Sequence, residues 1–347
     1  MPSKHRKTKS IVDVAKKAGV SVTTVSRVIN DSPLAKPTTK AHVLKIAEQL
    51  GYFPAVRRPG PKSGASASKK KIAFVMFVDR YHTISDVHSF SPALQRGVQD
   101  GGRDVGFSIE FQLVGAETDI SDTLANGKFS GFILHGMQPH PTVEIFLRTQ
   151  PCCWVMNNPW TPTWGDHVMP DHREAGMMAA KYLISHGCRK LTIIKLGRAD
   201  RVSALREEGF CYVAGKQGIS TQALVAVQPL PEARTVYPEV VYIDEIITQF
   251  KKTVRSADGI FFDCDQSMVT LYPEMVCEEI IVPGKTILIG CNNQQACLAG
   301  IKPFPATMDV HFEQIGRMGV AQLAWRIKNH DCRRIRSLIS PTLISLS

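Results

Sequence analysis

The sequence predicts two kinds of structure in one chain of 347 residues: a small all-α module at the N-terminus and a larger α/β body with parallel sheets. Between residues 11 and 30, apolar side chains recur at helical spacing on both sides of Gly19. From Lys71 onward, short apolar runs typical of buried strands alternate with helical stretches. A chain of this length exceeds one average domain, so it can form both parts.

The first two predicted helices are short and lie close together. Ser10 is a candidate N-cap with Asp13 three residues further on, which is the spacing of a capping box. Gly19 suits the left-handed backbone that ends a helix, and Ser21 can cap the next one. The predicted turn is therefore tight. The first helix has one narrow apolar stripe, formed by Val14, Ala15 and Ala18.

The second helix has two faces of different chemistry. Its apolar face is predicted to join a small core through Val25, Val28 and Ile29. Its other face is predicted to point outward with Val22, Thr23, Ser26 and Arg27. A third helix is predicted over about 38–50, with a buried stripe of Val43, Leu44, Ile46, Ala47 and Leu50. Ordinary helical hairpins share this layout, but an outward face with hydroxyl groups and arginine is typical of a helix-turn-helix in a DNA major groove.

The distribution of charge favours the DNA-binding interpretation. Residues 1–71 hold sixteen Lys and Arg against Asp13, Asp31 and Glu48, which gives this segment a charge of +13. Since the whole chain carries +11, the remaining residues sum to −2. Domains that do not bind nucleic acid rarely concentrate positive charge at one end of the chain. A basic module of this kind is typical of proteins that bind DNA phosphates and release counterions.

These residues also carry a resemblance to a known family. The segments Asp13-Val14-Ala15, Ala18-Gly19-Val20-Ser21 and Thr24-Val25-Ser26-Arg27-Val28, with Asn30 and Leu50-Gly51-Tyr52-x-Pro54, resemble the headpiece of the LacI/GalR family of bacterial transcription regulators. The resemblance implies a DNA-binding headpiece over 1–58. We expect base-edge contacts from Val22, Thr23 and Arg27. We expect contacts that fix phosphates and register from Thr24, Ser26, Asn30, Thr39 and Tyr52.

Residues 59–71 are predicted to form a hinge linker rich in Pro, Gly, Ser and Lys. In the family this region forms a short helix on DNA and inserts a leucine into the minor groove. Here Pro59, Gly60 and Pro61 oppose a helix, and no leucine is present. The alternative hypothesis is that Arg57 and Arg58 enter an A·T-rich minor groove on an extended chain, or that they contact phosphates alone.

The body, residues 72–347, is predicted to contain parallel sheets. Strands are predicted over 72–78, 108–114, 131–134, 152–156, 191–194, 259–262 and 286–289, and helices over about 92–101, 174–186 and 312–327. The resemblance implies a periplasmic-binding-protein-like body of two doubly wound lobes joined by three crossings, near 168–171, 292–299 and 329. This gives a first lobe of about 72–168 and 297–329, and a second lobe of about 169–296 and 330–347.

A cleft between two such lobes binds small ligands at the carboxyl ends of strands. Asp171 closes a predicted strand, and Arg206 lies in an Arg-x-x-Gly-aromatic element similar to that of the family. Asp265 in Asp-Cys-Asp-Gln and Asn292 after Gly290-Cys291 resemble two further elements, although Cys264 and Asn292 depart from the usual residues there. Carboxylate, guanidinium and amide groups suit sugar hydroxyls or a small anion. These four residues are the predicted effector contacts, each with a capping or surface role as the alternative.

Several function classes are not expected. No run of about 20 apolar residues could span a bilayer, and the cationic first ten residues lead into no hydrophobic signal segment. The nine cysteines include no C-x-x-C pair, so we expect scattered buried thiols and neither metal nor disulfides. Four histidines, at 135, 140, 167 and 172, lack metal-ligand spacing and are predicted to be solvated or capping. No phosphate loop, dinucleotide motif or nucleophile elbow is present, so neither catalysis nor a cofactor is expected.

The sequence thus predicts a cytoplasmic, nucleoid-associated transcriptional regulator, which we expect to be a repressor. It would bind operator DNA as a homodimer, and a sugar-like effector between its lobes would shift its DNA affinity. Two alternatives stay open. The first is a solute-binding protein of a transporter, since the body alone would look the same. The second is an architectural DNA binder without an effector.

Overall fold

The computed structural model describes residues 10–29, 35–50, 70–78, 92–116, 118–156, 162–196, 201–226, 238–254 and 256–345. The chain divides into two compact units, Met1–Ala67 and Ser68–Ser347. This division falls inside the segment 59–71 that the sequence predicts to be a linker. Four predicted DNA contacts, Asn30, Tyr52, Arg57 and Arg58, lie outside the described residues.

The N-terminal unit contains three helices: α1 Ile11–Ala18, α2 Val22–Ile29 and α3 Pro37–Gln49. The predicted capping box is present, since Ser10 N donates to Asp13 Oδ2 at 2.8 Å and Asp13 N donates to Ser10 Oγ. Gly19 ends α1 with φ 65°, and Ser21 Oγ then accepts the Thr24 N–H at 3.1 Å. Short side chains let these helices share one core: Val14, Ala15, Ala18, Val25, Val28, Val43 and Ala47.

Two details of α3 differ from the prediction. The helix begins at Pro37, because a proline is well suited to a first helical position where no N–H partner is needed. Leu44 was predicted to be buried, but it is 46% exposed. Val43 and Ala47 are four residues apart and face the core, which turns Leu44 about 100° away on the helix surface.

The body is built on two six-stranded sheets. The first contains β1 Lys71–Val78, β2 Ser108–Gly115, β3 Phe132–Gly136, β4 Cys152–Val155, β5 Asp166–Pro170 and β11 Arg336–Ile339. Its order is β11-β5-β4-β3-β1-β2 and all pairings are parallel. Its helices are α4 Pro92–Val105, α5 Asp122–Asn126, α6 Pro141–Arg148 and α12 Phe312–Lys328. Apolar clusters cover both faces of this sheet.

The second sheet contains β6 Leu191–Leu196, β7 Thr221–Ala226, β8 Gly259–Phe262, β9 Ile287–Cys291, β10 Ala306–Asp309 and β12 Thr342–Ile344. Its order is β12-β10-β9-β8-β6-β7, and only the β10–β12 pairing is antiparallel among the described strands. Its helices are α7 His172–Ser185, α8 Arg201–Lys216, α9 Pro238–Gln249, α10 Asp265–Cys277 and α11 Gln295–Leu298. A π-helical turn, Phe250–Val254, follows α9.

The predicted fold class, a helical headpiece with a body of two doubly wound parallel-sheet lobes, is confirmed. Two of the predicted crossings and the lobe bounds are wrong. β10 pairs with β9 in the second sheet, so the chain crosses at 310–311, after β10, and not at 292–299. β11 pairs with β5 in the first sheet, so the last crossing lies between β11 and β12, and not near 329. These strands are short and partly polar, and their partners are distant in sequence, so periodicity could not place them.

Candidate functional site

The outward face of α2 is the candidate nucleic-acid interface. Val22 is 42% exposed, and Thr23 and Arg27 are exposed beside it. They share this surface because Val25 and Val28 are drawn into the three-helix core on the opposite side. An amphipathic helix of eight residues thus presents a methyl-rich, a hydroxyl and a guanidinium group together. Such groups can contact the thymine methyl group and the acceptor atoms of base edges.

The other described headpiece residues are less exposed. Thr24 is half-buried and its hydroxyl lies 2.9 Å from Ser21 Oγ, so it also belongs to the cap of α2. Ser26 is half-buried on α2, and Thr39 is half-buried in the first turn of α3. All three remain near helix N-termini or on the surface, where hydroxyl groups can contact phosphates. Their predicted roles stay predictions.

In the body, Arg206 is the centre of a buried polar network. The α8 helix places its guanidinium, which is 4% exposed, against the carboxyl ends of second-sheet strands. Its Nε donates to His172 Nδ1 at 3.1 Å and its Nη2 donates to Asn292 Oδ1 at 3.1 Å. Its Nη1 donates to the carbonyl oxygen of Asp263. Two of the predicted effector residues, Arg206 and Asn292, are thus in contact, and the sequence analysis did not foresee the contacts of Arg206 with His172 and Asp263.

Asn292 can join this network because of its backbone. The residue has φ 107°, and its N–H donates to the Met308 carbonyl at 2.8 Å. Asparagine is among the few residues other than glycine that visit positive φ at modest cost. The loop after β9 thereby turns the amide towards Arg206.

Asp265 supports the loop that carries Asn292. It is fully buried, and it accepts hydrogen bonds from the Thr307 hydroxyl at 2.8 Å and from Gln294 N at 2.7 Å. A Cβ on Gly290 would lie 2.1 Å from its Oδ1, so only glycine fits there. Burial raises the pKa of Asp265 to about 6, against the lowering effect of these hydrogen bonds. Its carboxylate is already engaged in fixing the loops after β9 and before β10.

Asp171 lies at the N-terminus of α7, where its Oδ1 accepts the Glu174 N–H at 2.9 Å as an N-cap. It lines a cavity of about 480 Å³ between the first sheet and helices α7 and α8. Asn292 lines a different, wider cavity of about 880 Å³. The four predicted effector residues are thus close in the fold, but they do not share one cavity among the described residues. Arg206 lines neither cavity, but it contacts His172 of the first and Asn292 of the second.

The histidine prediction is wrong for three of four residues. His135, His167 and His172 are only 2–3% exposed. Burial lowers the pKa of His135 and of His167 to about 4, and with the Arg206 charge it holds the pKa of His172 well below its usual value. All three are therefore neutral near pH 7. His135 and His167 lie in first-sheet strands, whereas His172 is the first residue of α7 and its ring contacts Arg206.

Further sequence predictions concern metal sites, cysteines and membrane spans. Within it, no cluster of three or more His, Cys, Asp or Glu side chains could hold a metal. All nine cysteines are free thiols, and Cys277, Cys297 and Cys332 are exposed, whereas we predicted buried ones. None of the described helices has the length and apolar character needed to cross a membrane.

Comparison with known proteins agrees with this architecture. Residues 10–55 match the family model described as bacterial regulatory proteins, lacI family, and residues 180–345 match a periplasmic binding protein-like domain. The N-terminal unit therefore contains a lacI-family segment, and the body contains a periplasmic binding protein-like one. The ribose operon repressor of Escherichia coli (strain K12) is 24% identical over 347 residues, covering 96% of this chain and 97% of that protein.

Solved structures share the fold of this chain. A transcriptional regulator CelR–cellobiose complex superposes with a TM-score of 0.60 at 18% identity, covering 97% of this chain and 98% of that one. The lac repressor dimer bound to operator and the anti-inducer ONPF superposes with a TM-score of 0.59 at 16% identity, covering 98% of both chains. At this level of identity the likeness concerns the fold.

Proposed function

We propose that this LacI-family protein is a sequence-specific transcriptional repressor whose operator affinity depends on a small effector. The observation that carries the proposal is the exposed α2 face, with Thr23 and Arg27, on a strongly basic module joined to a two-lobed α/β body. The charge asymmetry supplies affinity for phosphates, and the α2 side chains supply sequence selection. The proposed location is the bacterial cytoplasm, at the nucleoid. Catalysis forms no part of the proposal.

The proposed DNA-bound form is a homodimer on a pseudo-palindromic operator. Two α2 helices would enter successive major grooves about 34 Å apart. Val22, Thr23 and Arg27 would contact base edges, while Thr24, Ser26, Asn30, Thr39 and Tyr52 would contact phosphates. The lac repressor, solved as a dimer on its operator, supports this assembly by analogy.

The proposed effector is a sugar-like metabolite bound between the lobes. Support comes from two relatives, a ribose operon repressor and a regulator solved in complex with cellobiose. Arg206 and Asn292 offer a preorganised guanidinium and amide, Asp171 offers a carboxylate at a cavity wall, and Asp265 holds the loop that carries Asn292. A ligand that prefers one lobe arrangement shifts the population of that state and, through it, DNA affinity.

The test is selection of duplexes from a randomised library by the purified full-length chain. We expect enrichment of one pseudo-palindromic sequence. On that sequence Arg27→Ala should weaken binding by about tenfold or more and relax preference at one base position. The control is Arg103→Ala, which removes an exposed arginine of α4 and should leave operator affinity unchanged. Equal enrichment of all duplexes would overturn the proposed function.

The two hypotheses for Arg57 and Arg58 need a separate comparison. The double substitution to Ala should weaken binding more on operators with A·T-rich centres than on those with G·C-rich centres if the side chains enter a narrow minor groove. Equal losses on both operators would indicate phosphate contacts alone.

A further inference from the structure

The cavity of about 480 Å³ between the lobes has cationic and apolar groups in its wall, whereas the proposed function uses Asp171 alone among its lining residues. One wall is the edge of the first sheet. Parallel pairing sets Arg336 beside His167 and Leu338 beside Met169, so these four side chains face the cavity from two neighbouring strands. The register therefore places one cationic, one imidazole and two apolar groups on a single patch.

The opposite wall belongs to the second lobe and consists of two helix N-termini. Helix α7, of 14 residues, contributes Asp171 to Arg173, and helix α8, of 16 residues, contributes Arg201 and Leu205. The aligned peptide dipoles give each helix start a partial positive charge. Both therefore add to the field of the arginines.

Within the described part of the chain, two arginines of this cavity, Arg201 and Arg336, have no carboxylate partner. Among the described residues, no carboxylate forms an ion pair with Arg201, Arg334 or Arg336. Arg173 differs, since its Nε lies 3.1 Å from Glu208. Asp171 is the sole acidic side chain among the described lining residues, and one of its oxygens already caps α7. Partial burial, then the charges of Arg334 and Arg201, lower the pKa of Arg336, as expected for like charges that lie near one another.

A buried ring nitrogen at the same cavity provides an independent observation. His172 is among the lining residues and is 3% exposed. Its Nδ1 accepts from Arg206, so Nε2 carries the hydrogen, and this N–H has no partner among the described residues. Buried polar groups without partners are rare in native proteins and are a reason to expect a missing ligand or water.

We propose that this inter-lobe cavity binds a small organic anion, a carboxylate or phosphate group on a body with an apolar face, through Arg201 and Arg336. This inference rests on the proposed function, because it names the chemical class of the effector. The oxyanion would lie between the two arginines and the helix N-termini, while Met169, Leu205 and Leu338 contact the body of the ligand. Arginine binds both kinds of oxyanion through paired N–H groups.

The proposal also links binding to lobe movement. Arg336 belongs to the first lobe and Arg201 to the second, so an anion that contacts both replaces their repulsion with attraction. Binding would thereby favour approach of the lobes. A neutral ligand cannot make this contribution, because it leaves the repulsion in place.

The experiment measures binding to the full-length chain by calorimetry and thermal shift with two matched sets of probes. The first set is glucose, glucuronate and glucose 6-phosphate, and the second is benzyl alcohol, benzoate and phenyl phosphate. Within each set the anionic group changes while the body stays similar. We expect concentration-dependent stabilisation by at least one anion at millimolar levels, weakened by salt, and none by its neutral counterpart. The probes that bind show whether the cavity prefers a carboxylate or a phosphate group.

Variants then assign the binding to this cavity. Arg201→Gln and Arg336→Gln should each weaken binding of that anion about tenfold or more. Arg201→Lys should weaken binding less, because lysine keeps the positive charge. The control Arg103→Gln removes an exposed arginine elsewhere and should leave binding unchanged. Failure of every anion, equal binding of neutral probes, or full affinity in both Gln variants would overturn the inference. Selection of operator duplexes by the same protein preparation is measured separately. Failure of anion binding therefore leaves the DNA-binding proposal intact, and failure of duplex selection leaves the anion-binding result intact.

Discussion

The contact between α7 and α8 allows a sharp prediction, because it depends on two glycines. A Cβ added at Gly176 would lie 1.9 Å from the Arg206 carbonyl oxygen and 2.9 Å from Phe210 N. A Cβ added at Gly209 would lie 2.0 Å from the Arg173 carbonyl oxygen. These neighbours are backbone atoms, which cannot move aside like the end of a flexible side chain. Gly176→Ala must therefore push the two helices apart.

The size of the effect follows from these distances. Ordinary contact begins at 3.4 Å, so the helices must separate by about 1.5 Å. Overpacking of this kind costs about 1–3 kcal/mol. The same shift would stretch the 3.1 Å hydrogen bonds of Arg206 to His172 and Asn292, at about 1 kcal/mol each. The higher helix propensity of alanine returns about 1 kcal/mol. We expect a net loss of about 2–4 kcal/mol in the free energy of unfolding.

Gly215→Ala is the matched control, since Gly215 lies in α8 and its added Cβ would meet nothing within 4 Å. It should raise stability by about 0.4–1 kcal/mol. The assay is urea denaturation followed by circular dichroism, with the m-value compared between variants. Opposite signs for the two substitutions are expected. Equal effects, or a stable Gly176→Ala variant with unchanged effector binding, would refute the close-packing argument.

Two further predictions concern the first lobe. Asp166 accepts two hydrogen bonds from Arg326 in a buried ion pair, so Asp166→Asn should lower the free energy of unfolding by about 3–5 kcal/mol in a denaturation experiment. Adding Arg326→Met to this variant should recover part of the lost stability. A loss below about 1 kcal/mol for Asp166→Asn would contradict a stabilising role of the ion pair. Burial, and then the charges of nearby arginines, lower the pKa of His167 to about 4, from an unfolded value near 6.5. As the pH drops from 6.5 to 4, the unfolded chain therefore binds a proton before the folded chain does, and the free energy of unfolding falls. His167→Gln should reduce the slope of unfolding free energy against pH by up to about 1.4 kcal/mol per pH unit. The variant is compared with wild type, because Asp265, with its raised pKa, changes stability with pH in the opposite direction. An unchanged slope would contradict the low pKa assigned to His167.

Local signals were sufficient for the headpiece. The cap at Ser10, the left-handed turn at Gly19 and the apolar spacing of Val25 and Val28 each involve residues within one or two turns, so the sequence alone specifies them. Leu44 was misplaced because a helical stripe read from sequence is wider than the small core that three short helices enclose. The same local reasoning found the long apolar strands of the body.

Sequence by itself determined that a basic helical module precedes an α/β body. Only the tertiary structure decided which strands share a sheet, because pairing of β10 with β9 and of β11 with β5 joins segments that lack strong local periodicity. It also decided the charge of the inter-lobe cavity. Arg201 and Arg336 are 135 positions apart in the chain, and only the tertiary structure brings their like charges to the lining of one cavity.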